Sequence, residues 1–218
     1  MKNLLIPIFF MLALALRAQD FEVGAFTGFA NYQGDLAHDP IEIGETRLAV
    51  GAFARYHLSP QFKIKGSFYY GLVSGNDANS TGVARDRGWS FQSNLLEFSA
   101  TGEFHPLGRD RFASGGIFKA SISPYVATGL GVVNASSEVT VTRPADVGRF
   151  PEPGLKSTSI AIPFIVGIRL DAYESFSLGF EWGWRATFDD HIDGVKSNGN
   201  PDKNDWYLFI GASFAYVF

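Results

Sequence analysis

Eight segments of the chain alternate large apolar side chains with small or polar ones at a period of two. In the first segment Phe21, Val23 and Phe29 fall on one face, and Glu22 and Gly24 fall on the other. That period is the one that β-strands produce, and turn-forming residues separate the segments. The other alternating segments are Leu48–Tyr56, Phe62–Leu72, Leu96–Phe104, Val126–Val132, Ile162–Leu170, Phe176–Trp184 and Trp206–Phe218. The sequence therefore predicts an all-β fold of eight antiparallel strands.

The composition of the two faces separates a membrane barrel from a soluble sandwich. One face carries large aromatic and aliphatic side chains, and the other mixes glycine and alanine with charges of both signs. Lipid offers the backbone no hydrogen-bonding partner, so a membrane sheet must close on itself. An eight-stranded lumen is just wide enough for side chains to fill. We therefore predict an eight-stranded antiparallel transmembrane β-barrel, with a water-soluble sandwich as the alternative.

Charged side chains recur on the face that would point into the lumen. Isolated buried charges are costly, so we expect these groups to pair across a blocked lumen and to form no conducting pore. The predicted lumen charge network comprises Glu22, Arg55, Lys65, Glu97, Glu103, Arg169, Glu181 and Arg185. Three further charges on the same face are Arg47, Lys63 and Asp171.

The N-terminal segment has the pattern of a secretory signal peptide. Lys2 supplies a positive charge, Leu4–Leu16 is an apolar run of 13 residues, and Ala18 precedes the expected cleavage site. A run of that length is too short for a spanning helix, which requires about 20 residues. We therefore expect residues 1–18 to be a cleaved signal peptide and residues 19–218 to form the barrel.

Charge and cysteine content exclude some functions. Removing Lys2 and Arg17 lowers Lys+Arg from 18 to 16 against 22 Asp+Glu, which gives the mature chain a net charge of −6. That balance argues against nucleic acid as a partner. The chain has no cysteine, so disulfides and thiol chemistry are excluded.

The lengths of the connections predict an orientation. The connections 31–46, 74–88, 134–156 and 189–204 are long, whereas those around Ser59-Pro60 and Tyr173–Ser175 are tight and Pro106–Ser121 is intermediate. In bacterial barrels the long loops face outside and the short turns face the periplasm. Within the strands, Pro163 removes a ladder hydrogen bond, so we expect a bulge or a rim position there.

The C-terminal strand ends in an aromatic residue. Phe218 is the last residue, and Tyr216, Phe214 and Ile210 alternate behind it. A terminal aromatic on an alternating strand resembles the signal that the barrel-insertion machinery of the outer membrane reads. The alternative is an ordinary strand that ends there.

The sequence contains only weak candidates for a catalytic or a metal-binding site. His191 follows Asp189 and Asp190, but no serine adjoins this cluster, and the four histidines lack metal-ligand spacing. Asn76–Asn79 and Asn198–Asn204 are rich in oxygen ligands, but neither has an EF-hand pattern, and turn formation explains both. We therefore predict no enzyme activity, no cofactor and no metal site.

Six short segments, in this order and spacing, resemble the PorG-type outer-membrane barrels of Bacteroidota. They are Asn31–Leu36, Arg55–Pro60, Gly75–Ala78, Ile162–Phe164, Thr187–Asp190 and Asn204–Phe209. The resemblance covers nearly all of residues 19–218. It implies a non-enzymatic component of the type IX secretion system that anchors the periplasmic ring, a lipoprotein and its partner, to the outer membrane.

We expect outer-membrane lipid to surround the predicted barrel. The Pro106–Ser121 connection is the longest of the three periplasmic-side connections, and we predict it to be the contact with the ring. The alternative function is a structural or adhesive barrel of the OmpA or OmpX type that acts through its extracellular loops.

Overall fold

The computed structural model describes residues 20–33, 43–77, 88–141, 155–188, 192 and 205–218. The segment 1–18, assigned above to a signal peptide, lies outside the described residues. The described chain forms eight strands: β1 (Phe21–Gln33), β2 (Arg47–His57), β3 (Phe62–Asn76), β4 (Trp89–Phe104), β5 (Ser121–Val141), β6 (Leu155–Tyr173), β7 (Phe176–Thr187) and β8 (Trp206–Val217). A 3-10 helix of three residues, Ile43–Glu45, precedes β2. No helix among these residues has the length and apolarity needed to cross a bilayer.

The strands pair in chain order, and the sheet closes on itself. Each strand is antiparallel to the next, and β8 pairs with β1 to complete the barrel. Across the closing pair, Phe26 lies opposite Ser213 on β8 and Gly51 on β2. This topology confirms the prediction of an eight-stranded antiparallel barrel. Closure leaves no open edge of unpaired backbone groups, as a sheet surrounded by lipid requires.

The predicted alternation corresponds to the two sides of the wall. Outward residues such as Phe29, Phe98 and Val166 are exposed, with 54%, 58% and 55% of their surface accessible. Cross-strand aromatic pairs lie on this outer face, and Phe62 and Phe104 have ring centroids 5.1 Å apart. An outer wall of this kind suits a hydrocarbon environment, in which apolar side chains need no covering layer of protein.

The lumen also contains large aromatic rings. Phe26, Tyr69 and Phe209 are buried in one apolar cluster, and the rings of Phe26 and Tyr69 meet edge to face at 5.2 Å. Inward glycines make room for them: a Cβ on Gly71 would lie 2.6 Å from a ring carbon of Phe209. The core of this protein is therefore the filled lumen.

The two ends of the barrel differ. At the turn-side end the connections are residues 58–61, 105–120 and 174–175, and at the loop-side end the strands are joined by the segments 34–46, 77–88, 142–154 and 188–205. Several strands extend further toward the loop side than the alternation of apolar residues indicated. β5 continues to Val141 and β6 begins at Leu155, so that connection is shorter than the predicted 134–156. The extension was missed because its outward residues are polar.

The expectation for Pro163 is wrong. Pro163 lies in the middle of β6, inside the lumen wall, opposite Arg185 on β7. The register of β5 against β6 is the same on both sides of this point, but the pairing is interrupted between Thr128/Phe164 and Gly131/Ala161. The wall therefore accommodates the missing N–H donor by a local gap in one ladder. The only register shift between β6 and β7 lies at Asp171/Tyr173.

Candidate functional site

The turn-side half of the lumen contains a group of interlocked ion pairs centred on Arg55. This side chain, 4% exposed, pairs with Glu22 on β1 and with Glu103 on β4. The Nη2 atom of Arg55 donates to Glu103 at 3.0 Å, and its distance to Glu181 on β7 is 3.8 Å. One guanidinium thus links β1, β2 and β4 through charge-assisted hydrogen bonds, which are the stronger class, and reaches β7 through a longer ion pair.

Arg169 extends the group around the wall. Its Nη1 donates to Glu22 at 2.8 Å, and its Nε donates to Asp171 at 3.0 Å. His57 adds a contact of 3.3 Å to the same Glu22 carboxylate. Glu22 is fully buried but is surrounded by these partners, which offset the cost of removing its charge from water.

Lys65 and Glu181 form the next pair toward the loop side. Their charged groups are in direct contact, and the Tyr69 hydroxyl lies 3.2 Å from the Lys65 amine and donates to Glu181 at 3.1 Å. Lys65 also lies over the ring of Phe53, 4.7 Å from its centroid. This pair marks the transition from the charged half of the lumen to its aromatic half.

A separate pair lies among the aromatic rings. Arg185 Nε donates to Glu97 Oε2 at 3.2 Å, and both residues are almost fully buried. The Tyr207 hydroxyl donates to the same oxygen at 2.8 Å. The Arg185 guanidinium lies 4.6 Å from the ring centroid of Phe209, so a cation–π contact supplements the ion pair.

Glu45, Asp77 and Asp205 are buried carboxylates at the loop-side end of the barrel. The buried charges carried by the strands themselves balance one another. They are Glu22, Glu97, Glu103, Asp171 and Glu181 against Arg55, Lys63, Lys65, Arg169 and Arg185. Ten charges of opposite sign distributed through a narrow barrel fill space that water or ions would otherwise occupy. Arg47, which shared their face in the sequence, instead lies exposed at the loop-side rim, where its Nε donates to Ser74 at 3.1 Å.

Ile192, a residue that the sequence pattern did not mark, packs into the loop-side end of the lumen. Ile192 is fully buried in the aromatic cluster of the lumen. Its carbonyl accepts from the Ser137 hydroxyl at 2.5 Å, and its N–H donates to Asp205 at 2.9 Å. Asp205 in turn accepts from the Tyr32 hydroxyl at 2.5 Å. An apolar side chain from outside the strands thus plugs the lumen.

At the other end, the 105–120 connection contains a small hairpin. Lys119 N donates to Arg111 O and Ala113 N donates to Ile117 O, both at 2.8 Å. Gly115 and Gly116 form the turn at positive φ, 108° and 78°, a region in which glycine is favoured. The Gly-Gly pair between Phe112 and Phe118 is the sequence signal that identifies this hairpin.

The hairpin segment is attached to both neighbouring turns. Arg111 Nη2 donates to the carbonyls of Tyr173 and Glu174 at 3.1 and 2.8 Å, which fixes it to the β6–β7 turn. On the other side, His105 N donates to Gln61 O at 2.8 Å in the β2–β3 turn. The three connections 58–61, 105–120 and 174–175 therefore form one continuous surface, here called the turn-side platform.

His105 lies at the base of the platform. Its ring contacts Glu103 at 3.2 Å and Ser123 at 3.2 Å, and it stacks on Tyr125 with ring centroids 4.8 Å apart. Burial lowers the pKa of His105 below its usual value, although the hydrogen bond to Glu103 opposes the shift. His105 is therefore held in its neutral form near pH 7 and links the platform to the charged half of the lumen.

The platform exposes apolar side chains that lie outside the alternating strands. Leu107 is 59% exposed, Ile117 is 70% exposed and Phe112 is 37% exposed. They lie on an ordered segment that backbone and guanidinium hydrogen bonds hold in place. Apolar groups presented on a fixed surface are typical of a protein-binding site.

The residues of the predicted insertion signal lie along β8. Phe214, Tyr216 and Phe218 are exposed on the outer wall, and Ile210 is half-buried on the same face. Phe218 N donates to Phe21 O at 3.1 Å, so Phe218 extends the closing pair of strands. These aromatic rings stand at the turn-side end of the seam between β1 and β8.

The cluster Asp189–His191 and the segment 198–204 lie outside the described residues. Of Asn76–Asn79, only Asn76 and Asp77 are described, and Asp77 accepts from Trp89 N at 3.0 Å. Within the described part of the chain, no group of three or more His, Asp or Glu side chains is arranged to hold a metal ion.

The barrel resembles solved bacterial surface proteins. Neisserial surface protein A is 13% identical with a TM-score of 0.54, and the match covers 91% of this chain and 97% of that one. Ail of Yersinia pestis is 9% identical (TM-score 0.46; 89% and 97%), and the outer membrane protein OprG of Pseudomonas aeruginosa is 10% identical (0.44; 92% and 98%). No curated protein matches the sequence.

Closure, strand number and the apolar outer wall define the chain as an outer-membrane type of β-barrel, a fold that it shares with Neisserial surface protein A. More particularly, the chain belongs to the family described as "Domain of unknown function (DUF6089)", which matches residues 1–218.

Proposed function

We propose that this barrel is a non-enzymatic component of the type IX protein secretion apparatus of Bacteroidota, which anchors the periplasmic ring to the outer membrane. The barrel supplies a membrane anchor, and the 105–120 connection within the turn-side platform supplies the docking surface for the ring lipoprotein and its partner. The observation that carries the proposal is the platform itself, an ordered surface with exposed Leu107 and Ile117 at the end predicted to face the periplasm.

Two further features support this assignment. A lumen filled by ion pairs and rings suits an anchor better than a channel, because a closed barrel can act only through its surfaces. The six segments that resemble PorG-type barrels include Arg55–Pro60, which runs from β2 into the platform. The partners that we propose during assembly are the insertion machinery, which reads Phe218 and its neighbours, and the surrounding outer-membrane lipid.

Affinity purification of the tagged protein from gently solubilised native membranes tests the proposal. We expect the ring lipoprotein and its partner to be enriched over an unrelated barrel. Ile117→Asp and Leu107→Asp should remove that enrichment, since they place charges in an apolar interface without affecting any strand. Leu58→Asp is the matched control, because Leu58 is 58% exposed in a neighbouring turn of the platform.

Recovery of the barrel alone, under conditions in which a known ring member stays assembled, would contradict the secretion role and favour an adhesive function of the outer loops. Equal loss of the ring with Leu58→Asp and with Ile117→Asp would contradict the assignment of the hairpin as the contact.

A further inference from the structure

Outward side chains of β3, β4, β5 and β6 line up in rows around the barrel, because the register of the ladders places them opposite one another. The row near mid-wall is wholly apolar and consists of Phe68, Phe98, Val132 and Ile160. The next row toward the loop side is mixed and consists of Tyr70, Leu96, Asn134 and Thr158.

This mixed row marks the edge of the hydrocarbon zone. Tyr70 is 41% exposed and its hydroxyl donates to Asn94 Oδ1 at 3.0 Å, one row further up. Asn134 donates to Thr158 at 2.9 Å within the mixed row. Tyrosine is enriched where lipid tails meet headgroups, because its ring is apolar and its hydroxyl is polar.

Above the mixed row the outward wall of β4, β5 and β6 is polar, whereas Leu72 on β3 remains apolar. The two rows are Leu72, Asn94, Ser136 and Lys156, followed by Ser74, Gln92 and Glu138. Two adjoining hollows of about 290 and 230 Å³ indent this surface, and both are lined by Arg47, Ser74, Gln92 and Glu138. We call this surface the polar trough.

We propose that the polar trough binds the sugar-and-phosphate headgroup of a glycolipid in the leaflet at the loop-side end. Amide side chains such as Gln92 and Asn94 both donate and accept hydrogen bonds, as recognition of sugar hydroxyls requires. The exposed guanidinium of Arg47 supplies a planar donor suited to a phosphate. Arg47 is oriented by its own hydrogen bond to Ser74, so the donor is fixed before a ligand arrives.

The height of the trough identifies the occupant as a membrane lipid. Successive rows rise by about 5 Å in strands that are tilted as in a small barrel. The trough therefore begins about 5 Å above the mixed row, and the headgroup layer of a bilayer occupies roughly 5–8 Å on each side of the hydrocarbon. The acyl chains of the same lipid would lie on the apolar rows directly beneath.

Binding of purified lipopolysaccharide to the detergent-solubilised full-length barrel tests the proposal, with phosphatidylglycerol as a phosphate probe that lacks sugars. Gln92→Ala together with Asn94→Ala should weaken lipopolysaccharide binding at least tenfold and leave phosphatidylglycerol binding unchanged. Arg47→Ala should weaken the binding of both lipids. Arg109→Ala, which removes the same charge at the turn-side end, is the control and should leave both affinities within twofold.

The substituted side chains are exposed, so the barrel should fold in every variant, which heat-modifiable gel mobility verifies. Lipopolysaccharide binding within twofold of the parent after the double substitution would overturn the proposal and assign lipid affinity to the apolar wall. An equal loss of lipid affinity with Arg109→Ala and with Arg47→Ala would overturn the proposal, because it would indicate attraction by the overall charge of the protein and not by the polar trough. Sugar-only oligosaccharide should compete at least tenfold more weakly than the intact lipid, and equal competition would overturn the assignment to a membrane lipid.

Discussion

Replacing Glu97 by glutamine tests whether paired charges hold the lumen together. The substitution removes one charge, keeps the shape, and retains groups that can hydrogen-bond to Tyr207 and Ser99. Arg185 then becomes an unpaired cation that is 1% exposed. Because Glu97 is the only ion-pair partner of Arg185 among the described residues, no neighbouring carboxylate compensates for the loss of the Glu97 charge.

The size of the expected destabilisation follows from the distance between the charged groups of Arg185 and Glu97. Two unit charges 3.2 Å apart attract by about 5 kcal/mol at an effective dielectric constant of about 20. The cation–π contacts of Arg185 with Phe209 and Tyr69 remain, and each offsets roughly 1 kcal/mol of the lost ion-pair attraction. We therefore expect Glu97→Gln to lower the free energy of unfolding by about 3–5 kcal/mol, the range for breaking one side of a buried pair.

Urea unfolding of the barrel in phospholipid vesicles, followed by the fluorescence of its 4 tryptophans, measures this change. Glu138→Gln, the same substitution at an exposed outward position, should shift the free energy by less than about 0.5 kcal/mol. Arg185→Met combined with Glu97→Gln should recover most of the loss, so that the two single effects exceed the double effect by more than about 3 kcal/mol. A loss below about 1 kcal/mol for Glu97→Gln, or purely additive effects, would refute the reasoning.

Three further predictions concern the seam, the platform and the C-terminus. Gly28→Val should prevent barrel formation, because a Cβ there would overlap the backbone of Ile210 on β8, whereas Gly66→Val points into open space and should fold; heat-modifiable mobility separates the two outcomes. The pKa of His105 is lower in the folded state than in the unfolded chain, so the contribution of neutral His105 to stability is present above about pH 6.5 and is lost as the pH falls. His105→Gln should therefore lose less stability than the parent when the pH is lowered from about 7.5 to 5, as measured by urea titration. An identical loss in both proteins would contradict this. Phe218→Ala should slow insertion by purified barrel-insertion machinery without changing the free energy of unfolding of the assembled barrel by more than about 0.5 kcal/mol, and an unchanged insertion rate would count against the signal.

The number of strands and the side of the wall on which each residue lies could be predicted, because apolar and small or polar residues alternate along each strand. Phe21 and Val23 face outward while Glu22 faces inward, as a period of two requires. Individual ion pairs could not be predicted, since they depend on register across the lumen. Arg169 on β6 reaches Glu22 on β1, a contact between residues 147 positions apart in the sequence. The sequence provides both charges but no measure of their distance.

The aromatic filling of the lumen was missed for a related reason. Tyr69 and Phe209 look like wall residues until the register places Gly51 and Gly71 beside them, where a Cβ would collide with the rings. The polar extension of β5 beyond Val132 was missed because the alternation there lacks apolar outward residues. Both features depend on the register between strands, which the alternation within one strand does not define.

Platform residues could be predicted in part. The Gly115-Gly116 pair between Phe112 and Phe118 indicates a hairpin, whereas the attachment of Arg111 to the carbonyls of the β6–β7 turn follows only from the pairing of β5 with β6. A side chain that binds backbone groups about 60 residues away leaves no local pattern in the sequence.

Single-channel conductance of the purified barrel in planar bilayers tests most directly whether the lumen is closed and the protein acts through its surfaces. The paired charges around Arg55, the pair Glu97–Arg185 and the plug at Ile192 predict no current above the bare bilayer, while a porin reconstituted in the same way conducts. Reproducible conductance steps of the parent barrel would contradict the account, and would show that ions pass through a lumen whose side chains should exclude them.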